Sequence, residues 1–185
     1  MKKLDRRPQI LVVGYGADVC TPQAYELAYR VGRRIAERGA ILITGGLGGI
    51  MEAASKGCQE AGGISVGIIP FEDKTKANPY LTVVIPTGIG YARNFITGYS
   101  GDSVVVVGGG SGSLTEMAAA YMRGIPIIAV VESGGVAREF AGRSLDERNL
   151  VVVEAGNGPE ESVDRALRAA TLRRRVAKGS PRGKR

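Results

Sequence analysis

Three times along this chain a short apolar run ends in a cluster of glycines and gives way to residues of helical periodicity. Ile10-Leu11-Val12-Val13 leads into Gly14-Tyr15-Gly16, and Ile41-Leu42-Ile43-Thr44 into Gly45-Gly46-Leu47-Gly48-Gly49. Ser103-Val104-Val105-Val106-Val107 leads into Gly108-Gly109-Gly110-Ser111-Gly112-Ser113. Apolar runs of this length, bounded by turns, read as strands buried on both faces. Alternation of such strands with helices specifies a parallel sheet covered on both sides. The expected fold is α/β: a Rossmann-like three-layer sandwich with a mostly parallel sheet of about seven strands. In such a sheet the turns that follow strands share the carboxyl edge, so the three glycine turns converge on one crevice.

The third turn carries the clearest chemistry. Glycine permits tight turning and close approach of a ligand to the backbone. A helix start offers unpaired N–H groups and the positive end of the helix dipole. The two together make an anion site, most often for phosphate. A flexible Gly/Ser linker is the competing reading, but a buried strand and an apolar helix bound this turn closely. The candidate phosphate- or cofactor-binding residues are Gly14, Gly16, Gly45, Gly46, Gly49, Gly109, Gly110, Ser111, Gly112 and Ser113.

Around these turns the other elements follow. Thr21-Pro22 reads as N-cap and first residue of a helix with Leu27, Ala28, Val31 and Ile35 on its inner face, ending at Gly39. A helix is expected over 50–61 and a strand over 64–69. A surface loop is expected over 70–80, a short strand over 81–85 and a helix over 92–99. The third glycine turn precedes a helix over 114–122. Strands are expected over 127–131 and 150–153, and a last helix begins at Pro159 with Glu160 and Glu161 in its first turn.

The net charge is +7, but seven of the 25 basic residues lie in 173–185, where there is no acid. The remainder carries 18 basic and 18 acidic residues and is neutral. The domain is accordingly read as 1–172, with 173–185 a basic, disordered tail. Attraction of that tail to nucleic acid is the weaker alternative. There is no run of 18 apolar residues and no signal-peptide pattern, so a cytoplasmic protein without a membrane partner is expected. Cys20 and Cys58, far apart in sequence, fit reduced thiols. The chain has no histidine. That excludes an imidazole base and a Ser-His-Asp triad, and no metal site is expected.

No standard nucleotide fingerprint is present. A P-loop needs Gly-Lys-Ser/Thr. A dinucleotide loop needs G-x-G-x-x-G, and both Gly14–Val19 and Gly108–Ser113 lack the third glycine. Glu132, after the next strand, could stand in for a ribose-binding acid. Ser113-x-x-Glu116 reads as a capping box, or else as a carboxylate beside a bound sugar. Arg93 opens its helix, where a cation opposes the dipole; it is an ordinary surface arginine or serves an anion. Glu52 and Lys56, four apart, read as a helix ion pair. Thr21 and Asp18 stand where they can line the crevice, and Tyr121 and Met122 suit either a core or an interface.

The motif order Gly45-Gly46-Leu47-Gly48-Gly49-Ile50-Met51-Glu52-Ala53, Arg93 and Gly109-Gly110-Ser111-Gly112-Ser113-Leu114-Thr115-Glu116 resembles the lysine-decarboxylase-like superfamily. That superfamily holds the LOG phosphoribohydrolases and the molybdenum cofactor carrier proteins. The resemblance covers roughly residues 9–170. Gly108 stands where the phosphoribohydrolase motif has proline, and Ser113 where it has threonine. The segment Gly90-Tyr91-Ala92-Arg93-Asn94 lacks the histidine and lysine of its Met-His-x-Arg-Lys stretch. The run Gly45-Gly46-Leu47-Gly48-Gly49-Ile50-Met51-Glu52, with Asn78-Pro79-Tyr80-Leu81 and Thr87-Gly88, looks closer to the carrier branch. The resemblance implies binding of the molybdenum cofactor or a nucleoside monophosphate at the glycine loops, and a homo-oligomer, dimer or higher. The alternative it implies is hydrolysis of the N-glycosidic bond of a nucleoside 5′-monophosphate, with Arg93 and Glu116 catalytic and no cofactor required. Lysine decarboxylation is not implied, since no lysine stands out as a Schiff-base residue.

Overall fold

The computed structural model describes the backbone of residues 6–179 and the side chains of residues 6–174. Seven strands run parallel: β1 (Gln9–Gly14), β2 (Ile41–Thr44), β3 (Ile64–Ile69), β4 (Val83–Pro86), β5 (Ser103–Val107), β6 (Ile127–Val130) and β7 (Glu154–Gly156). Their order is β4-β3-β2-β1-β5-β6-β7. Six helices connect them: α1 (Pro22–Glu37), α2 (Ile50–Glu60), α3 (Arg93–Ser100), α4 (Ser111–Met122), α5 (Gly135–Phe140) and α6 (Pro159–Gly179).

The alternation of side chains along each strand builds two cores. Ile10, Val12, Leu42, Val105, Val107, Ile128 and Val130 face α1, α2 and α6. Leu11, Val13, Ile43, Val104, Val106, Ile127 and Ala129 face α4 and α5. Because both faces are buried, these strands read as continuous apolar runs. β1 lies in the centre. From it the chain works outward through β2, β3 and β4, then returns to pair β5 with β1 on the other side. The strand order reverses between β1 and β5, which opens a crevice at their carboxyl ends.

Three elements depart from the sequence expectation. The last strand lies at 154–156 rather than 150–153. Val153 is buried and Val151 packs against the same core, while Leu150 and Val152 are about half exposed. The alternation there comes from a segment lying over α4 and α5, joined to Ser144 by a single antiparallel bridge at Val152. α4 begins at Ser111, so Ser111, Gly112 and Ser113 form its first turn instead of ending the loop. α5, short and opened by two glycines, was not expected at all.

α6 passes through residue 172 without a break and continues to Gly179; residues 180–185 lie outside the described ones. Arg173 donates to the Arg123 carbonyl at 3.2 Å, and Arg174 donates to the Arg6 and Arg7 carbonyls and to Asp102. Asp102 also accepts from the Gln9 N–H at 2.8 Å, and its side chain is only 10% exposed. This clasp ties α6 to the amino edge of the sheet, away from the crevice. Asp102→Ala is expected to lower unfolding free energy by roughly 1–3 kcal/mol, because it leaves buried donors unpaired. Urea denaturation measures the loss, and ligand titration should show no change. Both cysteines are free.

Candidate functional site

A cavity of about 550 Å³ occupies the β1/β5 crevice. Its walls come from the segments that follow β1, β2, β3, β4 and β5. Gly14 closes β1, where a Cβ would lie 2.1 Å from the Val107 carbonyl oxygen and 2.8 Å from Ile50. β1, β5 and the start of α2 therefore meet with no room for a side chain. Tyr15 accepts from the Ile50 N–H at 3.0 Å, and its ring lies where a Cβ on Gly108 would be.

The third loop is braced from behind. The Gly108 N–H donates to Ser133 Oγ at 2.6 Å. The Ala137 and Val136 N–H groups at the start of α5 donate to the Gly108 and Gly109 carbonyls, both at 3.1 Å. Two carbonyl oxygens that would repel an anion are thereby held by α5. At the start of α4 no side chain caps the helix. Gly110 and Gly112 have no positive φ, and nothing lies within 4 Å of a Cβ placed at either. Packing does not require glycine at these two positions; the open space lies at the unpaired N–H groups of a helix start.

Ser113 is not the N-cap. Its hydroxyl donates to the Gly14 carbonyl at 2.8 Å and stitches α4 to β1. Glu116 does not reach back to a cap either. It accepts from Arg93 Nη1 at 3.1 Å. The capping-box reading is overturned because α4 starts earlier and α3 supplies a stronger partner. Arg93 also donates to Asn94 Oδ1 at 2.7 Å and, through Nη2, to the Gly45 carbonyl at 3.1 Å. Its Nε is buried and has no hydrogen-bond partner among the described residues. Arg93 and Glu116 are each 7% exposed, so Arg93 is no surface arginine. Burial pushes the Glu116 carboxyl up to about 7, and the Arg93 guanidinium opposes that rise only in part. Burial in turn pulls Arg93 down, against the attraction of Glu116 and Tyr91.

Gly14, Gly16, Gly112, Ser113, Arg93 and Glu116 line the cavity directly, as does Asp18. Gly45, Gly46, Gly49, Gly109, Gly110 and Ser111 are not part of the lining, and Gly110 and Ser111 are exposed. Gly49 has φ +70 and begins α2. The Gly46 carbonyl accepts from the Asn78 N–H at 2.9 Å, and the Asn78 side chain donates to the Leu47 carbonyl at 3.1 Å, which shapes the second loop. Thr21 caps α1 through the Ala24 N–H at 3.1 Å. Glu52 accepts from the Tyr25 hydroxyl at 3.2 Å, while Lys56 stands over the Tyr80 ring. No Glu52–Lys56 ion pair forms among the described residues. Glu132 lies apart, in a separate depression with Arg30 and Gly158. Tyr121 is buried, donating to Asp146 at 2.6 Å, and Met122 is half exposed.

Sequence reasoning missed seven lining side chains: Ala17, Leu47, Met51, Pro70, Phe71, Tyr91 and Asn94. Most of them lie in loops or at a helix start, where apolar residues carry no periodic signal that would mark them as cavity walls.

The fold agrees with that of known proteins. A relative from Archaeoglobus fulgidus, described only as an uncharacterized protein, is 46% identical over 116 residues, which is 63% of this chain and 75% of its own length. The molybdenum cofactor binding protein of the phototrophic bacterium Rippkaea orientalis is 32% identical with a TM-score of 0.77, over 86% of this chain and 95% of that one. The molybdenum cofactor carrier protein of Chlamydomonas reinhardtii is 28% identical with a TM-score of 0.76, over 90% of this chain and 99% of that one. The SLOG cluster4 family model matches residues 7–161, a span that contains all three glycine turns, Arg93 and Glu116. The chain belongs to the SLOG cluster4 family.

Proposed function

We propose that this protein is a carrier that holds a phosphate-bearing small molecule of the molybdenum-cofactor type in the β1/β5 crevice. The observation that carries the reading is the start of α4. It is uncapped, and two glycines there, Gly110 and Gly112, face open space that no packing contact explains. Helix N-termini of this kind take phosphate. The similarity to a cofactor carrier and a cofactor binding protein supports the same class of ligand. The cavity is of a size usual for small-molecule sites.

One observation favours a second reading, hydrolysis of a nucleoside 5′-monophosphate. Glu116, raised to about 7, is partly protonated near neutrality and touches a guanidinium within the cavity wall. A carboxyl poised in that way can serve a departing base or an attacking water. Water would then cleave the N-glycosidic bond to give free base and ribose 5-phosphate.

The homo-oligomer implied by resemblance belongs to the proposal. Phe95, Ile96, Tyr99 and Met122, on the outer side of α3 and α4, are each nearly half exposed and offer a second copy apolar surface. Light scattering of the purified protein reads its mass.

The deciding experiment incubates the protein with nucleoside 5′-monophosphates and titrates a phosphorylated pterin in parallel. Saturable binding without turnover is expected. Release of base and ribose 5-phosphate in equal amounts, abolished in Glu116→Gln, would overturn the carrier reading in favour of hydrolysis. Failure of every phosphate ligand to bind would remove both.

A further inference from the structure

We infer that the mouth of the crevice is a stacking platform, formed by Tyr91 with Phe71, for a planar fused heteroaromatic ring of the purine or pterin class. This rests on the anion reading of the α4 start and adds the other half of the ligand to it.

Tyr91 is 91% exposed, the most exposed large apolar or aromatic side chain among the described residues, yet it lines the cavity. At that exposure nearly all of the ring's surface is left open. Its placement is built rather than loose. Gly88 and Gly90 have φ of +66 and +58, a region open to glycine at little cost, and they swing Tyr91 onto the rim. The same turn is laced to the end of β3. Gly88 N–H donates to the Phe71 carbonyl at 3.3 Å, Gly90 N–H to the Pro70 carbonyl at 3.1 Å, and the Thr87 hydroxyl to the Ile69 carbonyl at 2.8 Å. Phe71, on that partner segment, lines the same rim and is 39% exposed. Lys76 holds its ammonium 4.7 Å from the centre of the Phe71 ring, which leaves only part of that ring for a ligand.

The lining is thus divided. Arg93, Glu116, Ser113 and the α4 start are polar; Phe71 and Tyr91 are aromatic. A free phosphate uses only the first part. A molecule with an anionic end and a flat apolar end uses both, and aromatic stacking tolerates any fused ring with a π face.

The test compares AMP, a monophosphorylated pterin and ribose 5-phosphate by calorimetric titration of the full chain, Tyr91→Ala and Tyr91→Phe. At least one ring-bearing phosphate is expected to bind roughly 10- to 100-fold more tightly than ribose 5-phosphate. Tyr91→Ala should remove most of that advantage and leave ribose 5-phosphate affinity unchanged. Tyr91→Phe should keep the advantage. Which ring wins, purine or pterin, names the source. Equal affinities for ring-bearing and ringless phosphates would overturn the platform while leaving the anion site standing. Equal loss of all three ligands in Tyr91→Ala would also overturn it, since Tyr91 would then be supporting the whole pocket. A changed molecular mass with unchanged affinities would assign Tyr91 to an interface between copies instead. If none of the three binds the parent protein, ribose 5-phosphate included, the anion reading itself fails and the platform with it.

Discussion

Gly112→Asp is expected to lose affinity for phosphate-bearing ligands by about a thousandfold while unfolding no more readily than the parent. Gly112 is the second residue of α4, without positive φ and with nothing within 4 Å of its added Cβ. An aspartate there gains from the helix dipole by about 0.3–1 kcal/mol, and loss of glycine reduces the freedom of the unfolded chain. Toward a bound phosphate the same carboxylate is repulsive. Two unit charges 4 Å apart oppose each other by about 4 kcal/mol at an effective dielectric of 20. At 1.4 kcal/mol per tenfold, that is roughly three orders of magnitude. Titration with ribose 5-phosphate and a thermal scan of the same variant separate the two effects. Unchanged affinity would move the phosphate away from α4. A Tm lowered by many degrees would show that this glycine serves the fold after all.

The second expectation concerns Glu116 and pH. Its carboxyl rises from the ordinary value of 4.5 to about 7 in the folded protein, because burial outweighs the pull of Arg93. The folded state therefore binds this proton more tightly than the unfolded chain does. The resulting stabilisation is complete below about pH 4.5 and is lost as pH rises through 7. At 1.36 kcal/mol per pH unit the loss is roughly 3 kcal/mol. Urea denaturation at several values between pH 5 and 8 should show the parent weakening and Glu116→Gln holding level. Other shifted groups fall outside this window. Asp146 is lowered to about 2, and Asp73, Glu160, Glu161 and Asp164 are also lowered. Cys58 rises to about 11 and Tyr25 to about 12. A parent protein level across this range would mean that Arg93 keeps Glu116 ionised throughout. The coupling also reaches the ligand: an anion that draws Arg93 away removes the influence opposing protonation, so binding near neutrality should take up a proton.

Much of this architecture is legible without coordinates. The strands at 41–44 and 103–107 read directly because parallel strands buried on both faces leave nearly continuous apolar runs. Thr21-Pro22 marks the start of α1 because a side-chain oxygen and a preset φ suit only those two positions. The convergence of the glycine turns follows from parallel topology alone. Residues 150–153 mislead because alternating apolar residues can lie over a helix layer as well as within a sheet.

The chain's apolar runs, glycines and caps, all local properties, were enough to set the parallel sheet and the edge where a ligand would sit. The partnership of Arg93 with Glu116, the role of Ser113 and the exposure of Tyr91 were decided only in three dimensions. Ser-x-x-Glu meets the demands of a helix cap as well as those of a buried ion pair. The choice depended on where α4 begins and on which side chain α3 brings against it, and chain neighbours carry no record of either.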